Sequence, residues 1–347
     1  MNNISKYIIS SDASLSDALV ALNNLSGDVL TLLVVDSEGR MLGTLTDGDV
    51  RRNLIATKDL ETNITGAMNI HFKYATVNKT DVRFINEMRK AGVILLPVLD
   101  ENKKIITLYN LKKLRSVLPV DAVLMAGGKG ERLRPLTESV PKPLLPVNGK
   151  AIIDYNIDRL ISFGIKHISV TVNYLKEQLE EHFSKPLNGV DIDCIPEPSF
   201  LGTIGSLSFI DTFYNDTILV MNSDLFTNID YEEFFLHFKD NEADMSVASV
   251  PYTVNVPYGI FELEGREIRG IVEKPTYNYY ANAGIYLIKR ELLKLIPKDT
   301  YYDATDLIKY LIDNQYKVIR FPITGYWLDI GNHSEYAKAC DLAHHIK

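Results

Sequence analysis

Gly127-Gly128-Lys129-Gly130-Glu131-Arg132 has the composition of a phosphate cradle. Glycines let the backbone approach a phosphate closely and turn its N–H groups toward it. Lys129 and Arg132 add positive charge, and the Arg132 guanidinium can bond two phosphate oxygens at once. The loop is not a Walker A motif, because no Gly-Lys-Ser/Thr closes it, and it lacks the full dinucleotide fingerprint. Taken alone it also reads as a tight turn. Farther along, Asp224 follows an apolar run that ends at Met221. An acid at a strand end suits Mg²⁺, which takes oxygen ligands and keeps several waters. A lone Asp also caps helices and forms turns. No Ser-His-Asp or Cys-His arrangement stands out in the chain.

The elements that must hold these residues follow from the hydrophobic pattern. From Asp121 onward, strand and helix alternate. Residues 122–125, 167–172 and 217–221 read as strands, and residues 151–163 and 174–183 as helices. Such alternation predicts an α/β fold with a mostly parallel sheet and helices on both faces. Ligands of such sheets gather at the carboxyl ends of the strands, where the glycine loop and Asp224 fall.

Ahead of this stretch, residues 1–118 contain a repeat. A shift of 64 positions lays Asp36 on Asp100, Asp17 on Asp81 and Val29 on Val93. Each copy reads as helix, apolar strand, turn, apolar strand and helix start, about 8–64 and 72–118. One copy cannot bury both faces of its strands, so two are expected to share a core. Pro119 breaks the preceding helical pattern and puts the boundary at 116–120.

Composition narrows the function. The 347 residues are 46% hydrophobic and 24% charged, and the net charge of −8 gives a pI near 5.5. That balance argues against a general nucleic-acid or membrane-surface binder, which needs a basic face. Two cysteines, Cys194 and Cys340, have no metal-ligand spacing and fit a reducing compartment. The N-terminus lacks the pattern of a signal peptide, and the apolar run 29–35 is too short to cross a bilayer. A cytoplasmic protein is expected.

Residues 125–147 continue the glycine loop with Leu133-Arg134-Pro135-Leu136-Thr137 and Pro141-Lys142-Pro143-Leu144-Leu145-Pro146-Val147. This stretch closely resembles the signature of the sugar-1-phosphate nucleotidyltransferases, and the resemblance runs from 121 to about 336. It implies a Rossmann-like, GT-A-like sheet over 119–347. It implies that Gly127, Gly128 and Gly130 wrap a nucleoside triphosphate and that Arg132 and Lys142 contact its phosphates. Prolines on both sides restrict the backbone of Lys142 and would aim its side chain.

Glu197-Pro198-Ser199-Phe200-Leu201-Gly202-Thr203-Ile204-Gly205 resembles the family's base- and sugar-facing stretch, with Glu197, Gly202 and Thr203 as substrate contacts. Its form is most similar to guanylyltransferases of mannose 1-phosphate, which favours GTP. The same residues also read as a helix start capped by Thr203 or Ser206. The segment Trp327-Leu328-Asp329-Ile330-Gly331 resembles the family's second acidic segment, which implies a shared Mg²⁺ on Asp224 and Asp329. Glu273-Lys274-Pro275 and Asn282-Ala283-Gly284 resemble the sugar-binding segments, with Lys274 on the sugar phosphate and Glu273, Asn282 and Gly284 beside the sugar. Tyr258-Gly259 is a weaker match to a sugar-facing turn.

The repeat of 1–118 resembles a tandem CBS-domain pair, an α+β module. Thr46 and Asp49, in Gly43-Thr44-Leu45-Thr46-Asp47-Gly48-Asp49, match the hydroxyl and acid that typically hold the ribose of an adenine nucleotide. A carboxylate suits vicinal ribose hydroxyls, and a helix N-terminus suits phosphate. The second copy departs from this pattern, with Asn110 and Lys113 in their places. A purely structural or dimerising module is the other reading, and CBS pairs imply a homo-oligomer.

The implied activity joins a nucleoside triphosphate to a sugar 1-phosphate (mannose, glucosamine or heptose), releasing pyrophosphate for surface-glycan synthesis. Transfer from UTP, dTTP or CTP, or a non-catalytic nucleotide sensor, are the alternatives.

Overall fold

The computed structural model describes residues 4–76 and 81–345. Residues 1–3, part of the N-terminal segment read above, lie outside the described residues, as do 77–80, just before the second copy's helix, and 346–347. The chain divides into two compact units, Met1–Leu118 with Ser162–Gly164, and Pro119–Ile161 with Ile165–Lys347.

The first unit runs β1 (Ile8–Ser10), α1 (Leu15–Asn24), β2 (Thr31–Val35), β3 (Met41–Thr46) and α2 (Asp47–Thr57). It then runs β4 (Ala75–Thr76), α3 (Val82–Lys90), β5 (Leu95–Leu99) and β6 (Ile105–Asn110). Both sheets pair their first two strands in parallel and their last two antiparallel. The shift of 64 holds through the hairpins. Thr31 lies opposite Thr46 as Leu95 lies opposite Asn110, and the register slips at Val34/Val35 and again at Val98/Leu99.

The shift fails at the helices. Asp17 is the third residue of α1, behind its N-cap Ser14, whereas Asp81 is itself the N-cap of α3. A helix starts where a side chain can take up its free N–H groups, so the caps set the starts and the connections absorb the difference. The second copy also lacks a closing helix like α2. Lys113 N and Leu114 N donate to Asn110 O in a short turn.

Leu15, Ala18 and Leu22 of α1 pack with Leu32, Leu33 and Val34 of β2, and Leu95, Leu99 and Leu108 join that same cluster. The two copies therefore share a core, as their half-covered strands require.

The second unit opens with β7 (Asp121–Met125), a small hairpin of β8 (Pro146–Val147) and β9 (Lys150–Ala151), and α4 (Ile152–Ser162). Next come β10 (Ile168–Val172), α5 (Lys176–His182), β11 (Ile192–Pro196), β12 (Thr217–Asn222), β13 (Leu225–Thr227) and α6 (Tyr231–Asp240). It ends with β14 (Met245–Asn255), β15 (Ile260–Glu264), β16 (Glu267–Val272), β17 (Thr276–Lys289), α7 (Ala304–Asp313), β18 (Val318–Pro322), β19 (Trp327–Asp329) and α8 (His333–His345).

Seven strands form one sheet in the order β11-β10-β7-β12-β17-β14-β18. Only β17 runs antiparallel to its neighbours, so the expected mostly parallel α/β sheet is present. Its central strands are near-continuous apolar runs because both faces are covered: Val123, Leu124, Ile218 and Val220 are fully buried. No helix among the described residues is long and apolar enough to cross a membrane.

Candidate active site

The strand order reverses beside β7. The chain steps from β7 outward to β10 and β11, then returns to lay β12 on the other flank. Diverging connections leave a crevice at the carboxyl ends of β7 and β12. A cavity of about 310 Å³ opens there. Met125, Ala126 and Gly128 line it from the end of β7, and Ser223 and Asp224 from beyond β12; Gly130, Glu131, Arg132, Lys142, Pro143 and Gly331 complete it.

The three glycines of the loop serve different ends. A side chain on Gly127 would start 2.7 Å from Glu197 Oε1. Gly130 has φ of +61°, and a side chain there would start 3.0 Å from Thr137 Cγ2 and 3.1 Å from Lys142 Cβ. Protein packing therefore demands glycine at both positions. Gly128 lines the cavity, with nothing within 4 Å of where its Cβ would be, so packing does not require glycine there and its backbone faces open space. Thr137 Oγ1 donates to Gly130 O at 2.8 Å and Tyr174 OH to Thr137 O at 3.0 Å, which ties the loop to the segment leading to Lys142.

Asp224 and Asp329 are brought together by one strand pair. β13 runs antiparallel to β19 with Leu225 opposite Asp329, and Ile330 N donates to Asp224 O at 3.2 Å. The turn carrying Asp224 is fixed from two sides. Ser223 Oγ donates to Met125 O at 2.7 Å, and Asn156 Nδ2 donates to Ser223 O and Leu225 O at 3.2 and 2.8 Å. Lys142 pairs with Asp224 Oδ2, and its Nζ lies 3.9 Å from Asp329 Oδ1. The Lys142 and Asp224 side chains are only 12% and 19% exposed, so this pairing is weakly screened by water. A side chain on Gly331 would start 3.1 Å from Arg132 Nη2, which puts the guanidinium across the end of the Asp329 segment.

Burial, and then the neighbouring Asp224 charge, push the Asp329 carboxyl above its usual range, against the pull of Lys142 and Arg132. Asp224 Oδ1 is buried and has no hydrogen-bond partner. Two carboxylates facing one cation, one with a free buried oxygen, make a donor set that suits Mg²⁺. Among the described residues no group of three or more His, Cys, Asp and Glu gathers to hold a metal. An ion held by this pair would have to take its remaining ligands from water and phosphate.

The other expected contacts sit elsewhere in the second unit. Glu197 is buried beneath Gly127, where desolvation raises its carboxyl above the usual range. Gly202 and Thr203 are pinned to the start of α7. Gly202, with φ of +80°, packs on Tyr302 O; Thr203 N donates to Asp303 Oδ1 at 2.9 Å; and Ala304 N donates to Thr203 Oγ1 at 2.7 Å. Thr203 thus caps a helix distant in sequence. Asp303, which organises this corner, was not among the residues singled out above. Its sequence signal is an acid directly ahead of a helical run, with Asp306 three positions on.

Gly284 packs on Asn222, and the Asn282 side chain is taken up locally, accepting from Gly284 N and donating to Tyr286 OH, both at 2.9 Å. Glu273 and Lys274 are exposed. Neither lines the cavity, and nor do Glu197, Gly202, Thr203 and Asn282. The Glu273 carboxylate lies against Gly259, so the Tyr258-Gly259 turn and Glu273 do meet. Lys274 has φ of +45°, a conformation uncommon outside glycine.

In the first unit, Thr46 is the N-cap of α2 and Asp49 its third residue. Thr46 Oγ1 and N donate to Asp49 Oδ2 at 2.6 and 2.9 Å, and Asp49 N donates back to Thr46 Oγ1 at 3.3 Å. The two form a reciprocal capping box at a helix N-terminus.

Residues 121–345 match the family model of nucleotidyl transferases, and residues 4–56 match the CBS domain. The CBS match covers most of the first copy of the repeat. The mannose-1-phosphate guanylyltransferase of Mycobacterium tuberculosis is 29% identical over 237 residues, which cover 65% of this chain and 66% of that protein. The bifunctional protein GlmU of Methanocaldococcus jannaschii is 32% identical over 219 residues, 61% of this chain and 51% of that protein. The chain thus spans about half to two thirds of the length of these curated relatives. The crystal structure of HddC from Yersinia pseudotuberculosis complexed with GMP-PN superposes with a TM-score of 0.50 at 25% identity, over 65% of this chain and 99% of that one. With most of its length matched, and with the glycine loop and Asp224 at the carboxyl ends of its parallel strands, the chain belongs to the nucleotidyl transferase family.

Proposed function

We propose that this chain transfers a nucleoside monophosphate from a nucleoside triphosphate to a sugar 1-phosphate and releases pyrophosphate. One observation carries the reading: Asp224 and Asp329 converge on Lys142 beside the open face of Gly128. GTP is the favoured donor, supported by the guanylyltransferase name of the mycobacterial relative, by the GMP-PN bound to HddC, and by the Leu201-Gly202-Thr203-Ile204-Gly205 segment. Mannose, glucosamine or heptose 1-phosphate is the proposed acceptor.

The attacking group is a phosphate oxygen of the sugar phosphate, already ionised at neutral pH, so the chain needs no general base. Its residues position and neutralise two polyanions. The Gly128 backbone and Arg132 receive the triphosphate at the mouth of the cavity. Lys142 exchanges its carboxylate partners for phosphate oxygens as the triphosphate enters. Lys274 takes the sugar phosphate. The bond from the α-phosphorus to its bridging oxygen breaks in line with the attack, and the pair leaves as pyrophosphate. A Mg²⁺ held by Asp224 and Asp329 supplies Lewis-acid charge at the α-phosphate when bound.

Residues 1–118 are proposed as a CBS pair that holds an adenine nucleotide at Thr46 and Asp49. The matched strand registers of the two copies support the pairing.

Pyrophosphate release measured with each of four triphosphates against the three sugar phosphates tests the activity. Turnover with GTP and one of these sugars is expected. No release with any combination, in the presence of Mg²⁺, would reject the reading.

A further inference from the structure

Lys142 reaches the acidic pair from a short turn, Lys142–Leu144, inside a stretch of turns that runs from Arg134 to Pro146. Such a stretch lacks a regular ladder, so partners for its backbone must come from elsewhere. Two of its carbonyls find them on α8. His333 Nε2 donates to Arg134 O at 2.9 Å, and Tyr336 OH donates to Pro146 O. A carbonyl only accepts, so Nε2 carries the proton.

The helix start is set locally. The Asn332 side chain accepts from Glu335 N at 3.1 Å and donates to Glu335 Oε2 at 2.6 Å, which caps α8 and begins it at His333, just past the Asp329 segment. His333 and Tyr336, three residues apart, then share one face of the helix. That face meets both ends of the stretch that carries Lys142. Beneath it, Leu133, Leu145 and Val147 pack in one cluster with Ile330 and Ala339, and Tyr336 lies against the same cluster.

The middle of the stretch is held from another side, where Gln178 Nε2 of α5 donates to Ser139 O at 2.9 Å. The α8 bonds differ in what they join. They tie the Lys142 stretch to the helix that continues from Asp329, and so bear on the 3.9 Å gap between Lys142 Nζ and Asp329 Oδ1. A charge placed for phosphoryl chemistry loses most of its effect when displaced by about 1 Å.

We infer that His333 and Tyr336 are positioning residues, which set Lys142 against the Asp224–Asp329 pair from the first turn of α8. Resting on the transfer proposed above, their effect on turnover passes through Lys142. The test joins kinetics to a labelling measurement that needs no turnover. His333→Ala with Tyr336→Phe removes both bonds and keeps the Tyr336 ring in its cluster. Its kcat is expected to fall about tenfold, the weight of two net hydrogen bonds, with KM for the sugar phosphate unchanged. In a Lys142→Ala background the same pair is expected to cost nothing further, because residues acting through one group are not additive. His333→Gln, which keeps an N–H near the place of Nε2, is expected to turn over faster than His333→Ala. Acetylation by an N-hydroxysuccinimide ester, read by peptide mass spectrometry, follows Lys142 itself. Its side chain is 12% exposed and is expected to react slowly in the wild type and several-fold faster in the double variant, with exposed Lys185 as the standard. Circular dichroism melts report folding, and should the double variant unfold, the His333→Ala and Tyr336→Phe single variants carry the same readouts. A wild type without turnover would reject the transfer, and the labelling would still decide the positioning. Wild-type kcat in the folded double variant overturns the inference, as does an additive loss on Lys142→Ala, or Lys142 labelled at the wild-type rate.

Discussion

Lys142 is the residue on which the site turns. Its ammonium pairs with Asp224 and stands 3.9 Å from Asp329, so it holds two acids together that would otherwise repel across a half-buried space. The same charge is the one proposed to meet the triphosphate. Lys142→Ala is expected to lower turnover by about 10²-fold or more, by analogy with loss of a preorganised charge-stabilising group, and to leave the fold intact. Steady-state kinetics and a circular dichroism melt check it; near-normal turnover would remove Lys142 from the chemistry. The orphaned Asp224 Oδ1 gives a second test. Asp224→Asn keeps the shape and removes a charge, so activity is expected to fall and the Mg²⁺ concentration for half-maximal rate to rise. A Mg²⁺ titration with the same midpoint as the wild type would contradict the metal assignment.

Two short elements do most of the assembling. The β13–β19 pair is only three residues long on each strand, yet its register sets the two acidic segments side by side. The corner between 201–205 and 300–304 works differently. There a loop read from sequence as substrate-facing is stitched to the N-terminus of α7 through Thr203 and Asp303. Thr203→Val preserves the side-chain shape and deletes the hydroxyl that accepts from Ala304 N. It is expected to cost about 1 kcal/mol of stability, the usual worth of a lost cap or hydrogen bond. Under the proposed activity it also raises KM for the donor more than it lowers kcat. Urea unfolding and steady-state kinetics measure the two effects. An unchanged unfolding midpoint would mean that the cap contributes nothing.

At the scale of the whole molecule, the capped helix start of α2 in the first unit and the crevice in the second are the two places proposed for a nucleotide. The proposed phosphate partner is the N-terminus of α2, beside the capping box of Thr46 and Asp49. Isothermal calorimetry of the full chain with AMP, ADP and ATP is expected to show binding that Asp49→Ala weakens about tenfold or more, the loss expected when a charged hydrogen bond is removed. Equal affinity in wild type and variant would place the nucleotide elsewhere.

The sequence by itself determined what depends on local chemistry and periodicity. It set the apolar strands of the parallel sheet, the glycine loop, the proline-flanked Lys142 and the repeat visible in the paired hairpins. It also supplied the two acidic segments, 105 positions apart. Only the tertiary structure decided which of these meet. Strand pairing at β13 and β19 joined Asp224 to Asp329, and packing against Glu197 and Thr137 explained why Gly127 and Gly130 must be glycine. The helix caps displaced the repeat from its shift of 64, because free N–H groups rather than residue counts fix where a helix begins. Side-chain types and spacings record local preference; the meeting of distant segments is set by sheet order and register, which no single stretch of sequence contains.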